Sequence, residues 1–304
     1  MIEVLRAGLS DLVMDQGRPG RGALGVPAGG AADPAALAAA NRLVGNDATA
    51  AGLEIILLGP ALLFPQGGVV ALTGAQFEAA RSSGAAAGWD ETLVLAAGET
   101  LTLGRVRDGC RCWLALQGGV LVPQIMGSRS TFLPAGFGGF RGRPLQTGDV
   151  LECGAQLDEV HLLRAQFPYC GERDAPLRVV AGPQAGQFDD AGLAAFFAGM
   201  YRVAAASDRR GLRLTGPVVS HKQAELPSQG VMAGAIQVPP DGQPIILGWD
   251  GPVTGGYPVI AGVIAADWPR LAQLRPGDAV RFETLETEAA RALAGIQWNI
   301  EELA

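Results

Sequence analysis

The sequence predicts a mainly β protein in two halves, with a few short helices. Three observations lead there. Gly occurs 44 times and Pro 20 times with no collagen-like period, so turns are frequent and the strands between them short. Beyond the first helix, apolar residues recur with period two between Gly- or Pro-containing turns, the spacing of a barrel or sandwich rather than of βαβ units. At 304 residues the chain is long for one core, and two domains of ordinary size are the default.

The elements follow in order. Ile2, Val4 and Leu5 begin a strand, and a polar loop runs from Asp15 to Gly22. After Gly25–Ala31 comes a punctuated helix: Asp33 stands at the N-cap, Pro34 at the first helical position and Gly45 past the end. Its apolar stripe is Leu37, Ala40, Leu43 and Val44. Strands are expected at Leu53–Leu58, Ala61–Phe64, Val69–Leu72, Thr92–Leu95, Thr100–Val106, Cys112–Gln117 and Val150–Cys153. Around Phe167–Pro176 the pattern resets, dividing the chain into domains 1–170 and 171–304. The second half offers strands at Leu177–Val180, Tyr201–Ala204, Leu212–Thr215, Ala235–Val238, Ile245–Leu247, Val259–Ile264 and Ala279–Glu283. Short helices are expected near Asp190–Ala198, from an Asp267 cap through Gln273, and at Glu286–Ala294. Gly59-Pro60 echoes Gly182-Pro183, and Gly148-Asp-Val-Leu151 echoes Gly277-Asp-Ala-Val280, in keeping with two similar halves.

The residue inventory excludes several chemistries. A net charge of −7 argues against a general nucleic-acid binder. No apolar run approaches the ~18–20 residues of a membrane-spanning helix. Glu3, Arg6 and Asp11 make the start a strand and turn rather than a signal peptide, so cytoplasm is the expected compartment. The only lysine, Lys222, follows His221, which leaves neither a Walker loop nor a biotin-acceptor Met-Lys pair. His161, His221 and four cysteines lack zinc spacing, and Cys110-Arg-Cys112 reads as two packed thiols on one strand face. No Gly-x-Ser-x-Gly elbow occurs, and Gly136-Phe-Gly-Gly-Phe140 lacks the dinucleotide spacing.

What remains is arginine, carboxylate and amide, gathered in three places. These are Asp15 to Arg18, Ser207 to Leu214, and the Gly/Pro-dense loops around Gln237, Asp241, Gln243, Thr254 and Tyr257. Arginine forks suit carboxylate or phosphate oxygens. Surface Arg–Asp pairs are common and worth little, so each cluster alone reads as a solvated face; convergence of all three on one cleft is the functional expectation.

Long words in the right order carry a family likeness. Asp15-Gln-Gly-Arg18, Gly25-Val-Pro-Ala-Gly-Gly-Ala31, Ala40-Asn-Arg-Leu-Val-Gly-Asn46, Leu116-Gln-Gly-Gly-Val120, Ser207-Asp-Arg-Arg-Gly-Leu-Arg-Leu214, Ile236-Gln-Val-Pro-Pro-Asp-Gly-Gln-Pro-Ile245 and Thr254-Gly-Gly-Tyr-Pro-Val-Ile-Ala261 resemble the allophanate hydrolase subunit 2, or KipA/PxpC, family. Its members are biotin-dependent carboxyltransferase-like proteins. Two departures stand out: Gln229 where relatives commonly carry Glu or His, and Pro252-Val253 before Thr254 where many carry Gln-Thr.

The resemblance implies tandem cyclophilin-like β-barrels and, for a stand-alone chain of this length, the C subunit of ATP-dependent 5-oxoprolinase, opening 5-oxoproline to glutamate. It implies a B subunit of the KipI/PxpB type, an A subunit of the LamB/YcsF type, and ATP with Mg²⁺, with no biotin on this chain. Two alternatives stay open: the carboxyltransferase component of a biotin-dependent urea carboxylase, and a KipA-like antagonist of a kinase inhibitor. On this reading Arg18, Arg209 and Arg213 bind an anionic substrate, while Gln237, Thr254, Gly255, Gly256 and Tyr257 line its site. Asp15, Asp208 or Asp241 then positions groups or transfers protons.

Overall fold

The computed structural model describes residues 1–155, 159–166, 175–222, 226–293 and 299–302. The chain is mainly β, and it divides into two compact units. One comprises Met1–Arg18, Gly29–Pro168 and Gln297–Ala304; the other comprises Pro19–Ala28 and Tyr169–Ile296. The segment in which the pattern resets, from Phe167, lies outside the described residues as far as 174, and Cys170 with it.

The first unit holds a six-stranded and a five-stranded sheet. The six-stranded order is Val120–Leu121, Val150–Cys153, Ile2–Arg6, Ala61–Phe64, Glu99–Val106 and Phe77–Arg81. The five-stranded order is Asp11–Met14, Gly52–Ile56, Arg111–Leu116, Gly68–Gly74 and Thr92–Leu95. One core fills the space between them, with Ile2, Leu62 and Phe64 from one sheet meeting Leu53, Leu72 and Leu114 from the other. Strand periodicity explains how the second sheet serves two layers. Val70 and Leu72 face that core, while Val69 and Ala71 turn to the opposite side, where Ala40 and Leu43 of the helix Pro34–Leu43 cover them. The helix starts where the sequence predicts, with Asp33 Oδ1 accepting from Ala35 N and Ala36 N at 3.0 Å each. A two-stranded ribbon, Leu163–Gln166 with Asn299–Glu302, completes the unit.

The second unit holds a two-stranded ribbon and an eight-stranded sheet that returns on itself. Its end strands, Ala279–Val280 and Phe282–Thr284, are consecutive in the chain, with Arg281 between them. The first pairs antiparallel with Tyr201–Val203, the second parallel with Leu177–Ala181, so a single segment joins both edges and nearly closes a barrel. Val179, Phe196, Tyr201, Ile236, Ile246 and Phe282 fill its interior. The helix Asp190–Ala198 has the predicted limits and is capped by Asp189, which accepts from Gly192 N at 2.7 Å.

Three expectations are corrected. Met1–Met14 is two strands in different sheets, Ile2–Arg6 and Asp11–Met14, rather than one strand and a turn. Phe77–Arg81 is a strand the apolar pattern does not announce, because only Phe77 in it is buried. Asp267 stands at the start of the helix Trp268–Gln273 without capping it; its carboxylate accepts instead from Arg178 N at 2.6 Å and Arg178 Nε at 3.0 Å. Among the described residues no helix is long and apolar enough to cross a membrane.

Candidate functional site

In the first unit, Asp15 and Arg18 form a buried knot. Asp15 Oδ1 accepts from Ser128 Oγ and Ser130 Oγ, both at 2.6 Å, and from Gly17 N at 2.8 Å, while Oδ2 accepts from Arg129 N at 2.5 Å. A carboxylate so engaged has its lone pairs committed to tying the 15–17 turn to the 128–130 loop. Arg18, only 1% exposed, donates through Nε to Ile125 O at 3.4 Å and through Nη2 to Ser130 O. Its guanidinium carbon lies 5.1 Å from the centre of the Phe137 ring, a cation–π contact. Gly138, at φ +70°, makes that wrap possible: a Cβ there would sit 2.2 Å from Ser130 O. The glycine-rich run Gly136–Phe140 therefore serves to enclose an arginine.

In the second unit, Arg209 is buried against Asp250, with Nε 2.8 Å from Oδ2 and Nη2 3.3 Å from Oδ1. Asp208 is exposed and held by its neighbour Arg210, whose N and Nε donate to it at 2.8 and 2.9 Å. Partial burial raises the Asp208 pKa, but the Arg210 bonds outweigh it and leave the carboxyl below its ordinary value. Arg213 is exposed on the strand Gly211–Thr215, its N–H donating to Ser207 Oγ at 3.0 Å. Asp241 is exposed and turns back on its own loop, accepting from Gln243 N at 3.0 Å.

The amide-bearing loops do come together. Gln237, 4% exposed, donates through Nε2 to Tyr257 O at 3.3 Å. Gly255 lies against the same amide, and a Cβ there would fall 2.5 Å from Gln237 Nε2. Thr254–Gly255 pairs with Gln229–Gly230 as a small antiparallel ribbon, and Leu226 N donates to Gly256 O at 2.7 Å. Gln184 joins the group, taking Val259 N–H on Oε1 at 3.1 Å and donating Nε2 to Gln229 Oε1 at 3.1 Å. Thr254 and Tyr257 stay exposed beside buried Gln237 and half-buried Gln184 and Gln229. The stretch 254–259 is thus backed by three glutamines, with Gln237 Nε2, Gln184 Nε2 and Val259 N–H all donating within the group. Of the residues expected to line a site, Gln237, Thr254, Gly255, Gly256 and Tyr257 cluster here; Arg209 and Asp208 are each occupied by a partner on the chain. Sequence reasoning missed Gln184, whose only signal is its place after Gly182-Pro183. It also missed Asp250, Ser128 and Ser130 as the partners of the charged residues it singled out.

Comparison with known proteins agrees with this architecture. The family model described as "Carboxyltransferase domain, subdomain A and B" matches residues 24–284. The C subunit of 5-oxoprolinase from Escherichia coli K12 is 40% identical, over 100% of this chain and 98% of that protein. The urea amidolyase of Saccharomyces cerevisiae is 31% identical over 96% of this chain, which spans only 17% of that protein. The crystal structure of the K. lactis urea amidolyase superposes with a TM-score of 0.87 at 32% identity, covering 95% of this chain and 19% of that one. The nearly closed sheet, the signature loops and these matches along nearly the whole chain agree, and the protein belongs to the carboxyltransferase domain family, subdomains A and B.

Proposed function

We propose that the chain is the C subunit of a cytoplasmic 5-oxoprolinase, working with A and B subunits to open 5-oxoproline to glutamate at the expense of ATP. The observation that carries this reading is the 40% identity to the C subunit of a 5-oxoprolinase across essentially the full length of both chains. The chemistry is compatible with the site. A lactam carbonyl is a poor electrophile, and its opening develops negative charge on oxygen, which fixed amide and backbone N–H donors stabilise. Beside the stretch 254–259, the side-chain amide of Gln229 is the candidate for such a donor. Asp15 and Arg18 brace the first unit, and the assembly takes ATP with Mg²⁺ as its cofactors.

The test is reconstitution. Co-expressed A, B and C subunits should release glutamate from 5-oxoproline with ATP, and the mixture lacking this chain should not. A well-folded ternary assembly without turnover overturns the reading. The similarity to urea amidolyases favours a second one, carboxyl transfer to urea from a biotinylated partner. Urea-dependent ATP consumption in the presence of a biotin carrier and biotin carboxylase, with none on 5-oxoproline, would select it.

A further inference from the structure

The amides of Gln184 and Gln229 are oriented by a donor that cannot be reversed. Side-chain amides can be flipped, but a backbone N–H cannot. Val259 N–H points at Gln184 and requires an oxygen there, which makes Gln184 Oε1 the acceptor at 3.1 Å. Gln184 must then present its Nε2 to Gln229, which answers with Oε1 at 3.1 Å. One end of the Gln229 amide is thereby fixed, and the other end, Nε2, is a buried donor without an acceptor among the described residues. Turning Gln229 over would set one NH₂ against another. Buried donors nearly always find partners, and leaving one unmet is costly.

The location gives this orphan a meaning. Gln229 lies opposite Gly255 in the two-residue ribbon, and Gly255 rests on the Gln237 amide. Gln237 is in turn the register partner of Val259, where the relay begins. All three glutamines therefore converge on residues 255–259.

We infer that Gln184 and Gln229 form an amide relay whose terminal Nε2 is reserved for an oxygen acceptor of the substrate, a lactam carbonyl or a carboxylate. This deepens the proposed function and rests on its placing the substrate at this loop. Gln184 is a positioning residue; Gln229 touches the substrate. Because Nε2 is buried, the acceptor reaches it when the ribbon 229–230/254–255 shifts, and each strand of that ribbon is only two residues long. A carboxylate at position 229 would offer acceptors, whereas the amide held by Gln184 offers a donor.

Gln184→Glu tests the relay without touching the substrate's side of it. One oxygen of the introduced carboxylate keeps the Val259 N–H bond. The other can only accept, so Gln229 turns its Nε2 inward and presents Oε1 outward. In the reconstituted A–B–C assembly, KM for 5-oxoproline should rise about tenfold while kcat changes little, the signature of lost binding rather than lost chemistry. Gln229→Met should raise KM similarly. An unchanged KM in both variants overturns the relay.

A binding arm separates this inference from the enzymatic reading. Calorimetric titration of the isolated chain with 5-oxoproline, acetate and urea is run alongside the assay. Binding that weakens about tenfold in Gln184→Glu sustains the relay even if the wild-type assembly turns nothing over. Equal binding by wild type and variant overturns it, as does the absence of both binding and turnover in the wild type, which leaves Nε2 to a trapped water.

Discussion

Asp15 and Arg209 illustrate how a charged residue in a signature word can be spent on structure. Asp15 accepts four hydrogen bonds, two from serine hydroxyls and two from backbone N–H groups. Replacing it with Asn sets an NH₂ among donors. Bonds to a charged acceptor are worth roughly 1.5–3 kcal/mol each, and their loss is partly relieved by rearrangement. Asp15→Asn should therefore lower stability by about 2–4 kcal/mol in urea denaturation, and Ser128→Ala by about 1–2 kcal/mol. Equal stability of Asp15→Asn and wild type would show that the carboxylate is not a brace. Arg209 makes the complementary case. Truncating one partner of a buried ion pair strands the other charge, at a cost of about 3–5 kcal/mol, whereas replacing both with apolar residues is often nearly neutral. Arg209→Ala should lose that much, and Arg209→Met with Asp250→Leu much less. A double variant as unstable as the single one would mean that Asp250 is not the group left stranded. Activity lost in Arg209→Ala thus reports on folding before it reports on substrate.

At the level of elements, the sequence was most informative where burial is one-sided or punctuation strong. Asp33, Pro34 and Gly45 bracket a helix that runs Pro34–Leu43, and Ala61–Phe64, Thr92–Leu95 and Val150–Cys153 have the limits their apolar runs announce. It was least informative for edge and ribbon strands. Gln229–Gly230, Thr254–Gly255 and Asn299–Glu302 bury little, so no alternation marks them and pairing alone defines them. The site divides on the same line. Gln237 and the 254–257 loop were legible as polar groups among glycines and prolines, but the relay through Gln184 depends on a hydrogen bond across 75 positions that no local pattern encodes. Closure of the second sheet was invisible as well, because a strand at 279–283 reads as one element while the chain uses it as two. That closure has a testable keystone. Phe282 is buried and stacks on Phe196 at 4.4 Å with an interplanar angle of 12°. Phe282→Ala removes the stack from the segment that joins both sheet edges, and should cost about 3–5 kcal/mol. Hydrogen exchange should then quicken together at Leu177–Ala181 and Tyr201–Val203, the two strands the segment links. Faster exchange at only one of them would contradict the closure.

For the molecule as a whole, the carboxylates with shifted pKa values predict a stability maximum in mildly acidic solution. Asp11 and Asp33 are raised to about 6, foremost because burial disfavours their charged forms, with Glu54 adding repulsion at Asp33. Asp90 is raised to about 6 as well, by burial and then by Glu91. A carboxyl whose folded pKa lies above its unfolded value binds extra protons in the native state. Its contribution is complete below the ordinary value of 3.8 and is lost as pH climbs through 6. Glu99 has the opposite sign: hydrogen bonds from Arg81 and then Ser83 lower it to about 2. Its contribution is complete above the ordinary value of 4.5 and disappears as pH falls toward 2. Asp149, held below its usual range chiefly by Arg143, adds to the same acid limb. The raised carboxyls lose their contribution from 3.8 upward to 6, while the lowered ones gain only below about 4.5, which leaves the optimum at roughly pH 4. At about 1.4 kcal/mol for each pH unit by which a pKa moves, Asp11 and Asp33 each withdraw stability on the order of 3 kcal/mol between that optimum and roughly pH 7, above which both states are ionised and the loss is complete. Thermal melts from pH 3 to 8 should therefore rise and then fall. Asp33→Asn, which keeps an oxygen for the helix cap, should flatten the alkaline limb, and Glu99→Gln should flatten the acid one. A wild-type curve that climbs steadily to pH 8, or an Asp33→Asn curve with the same alkaline slope as wild type, would show that these carboxyls ionise in the folded protein as freely as in the unfolded chain.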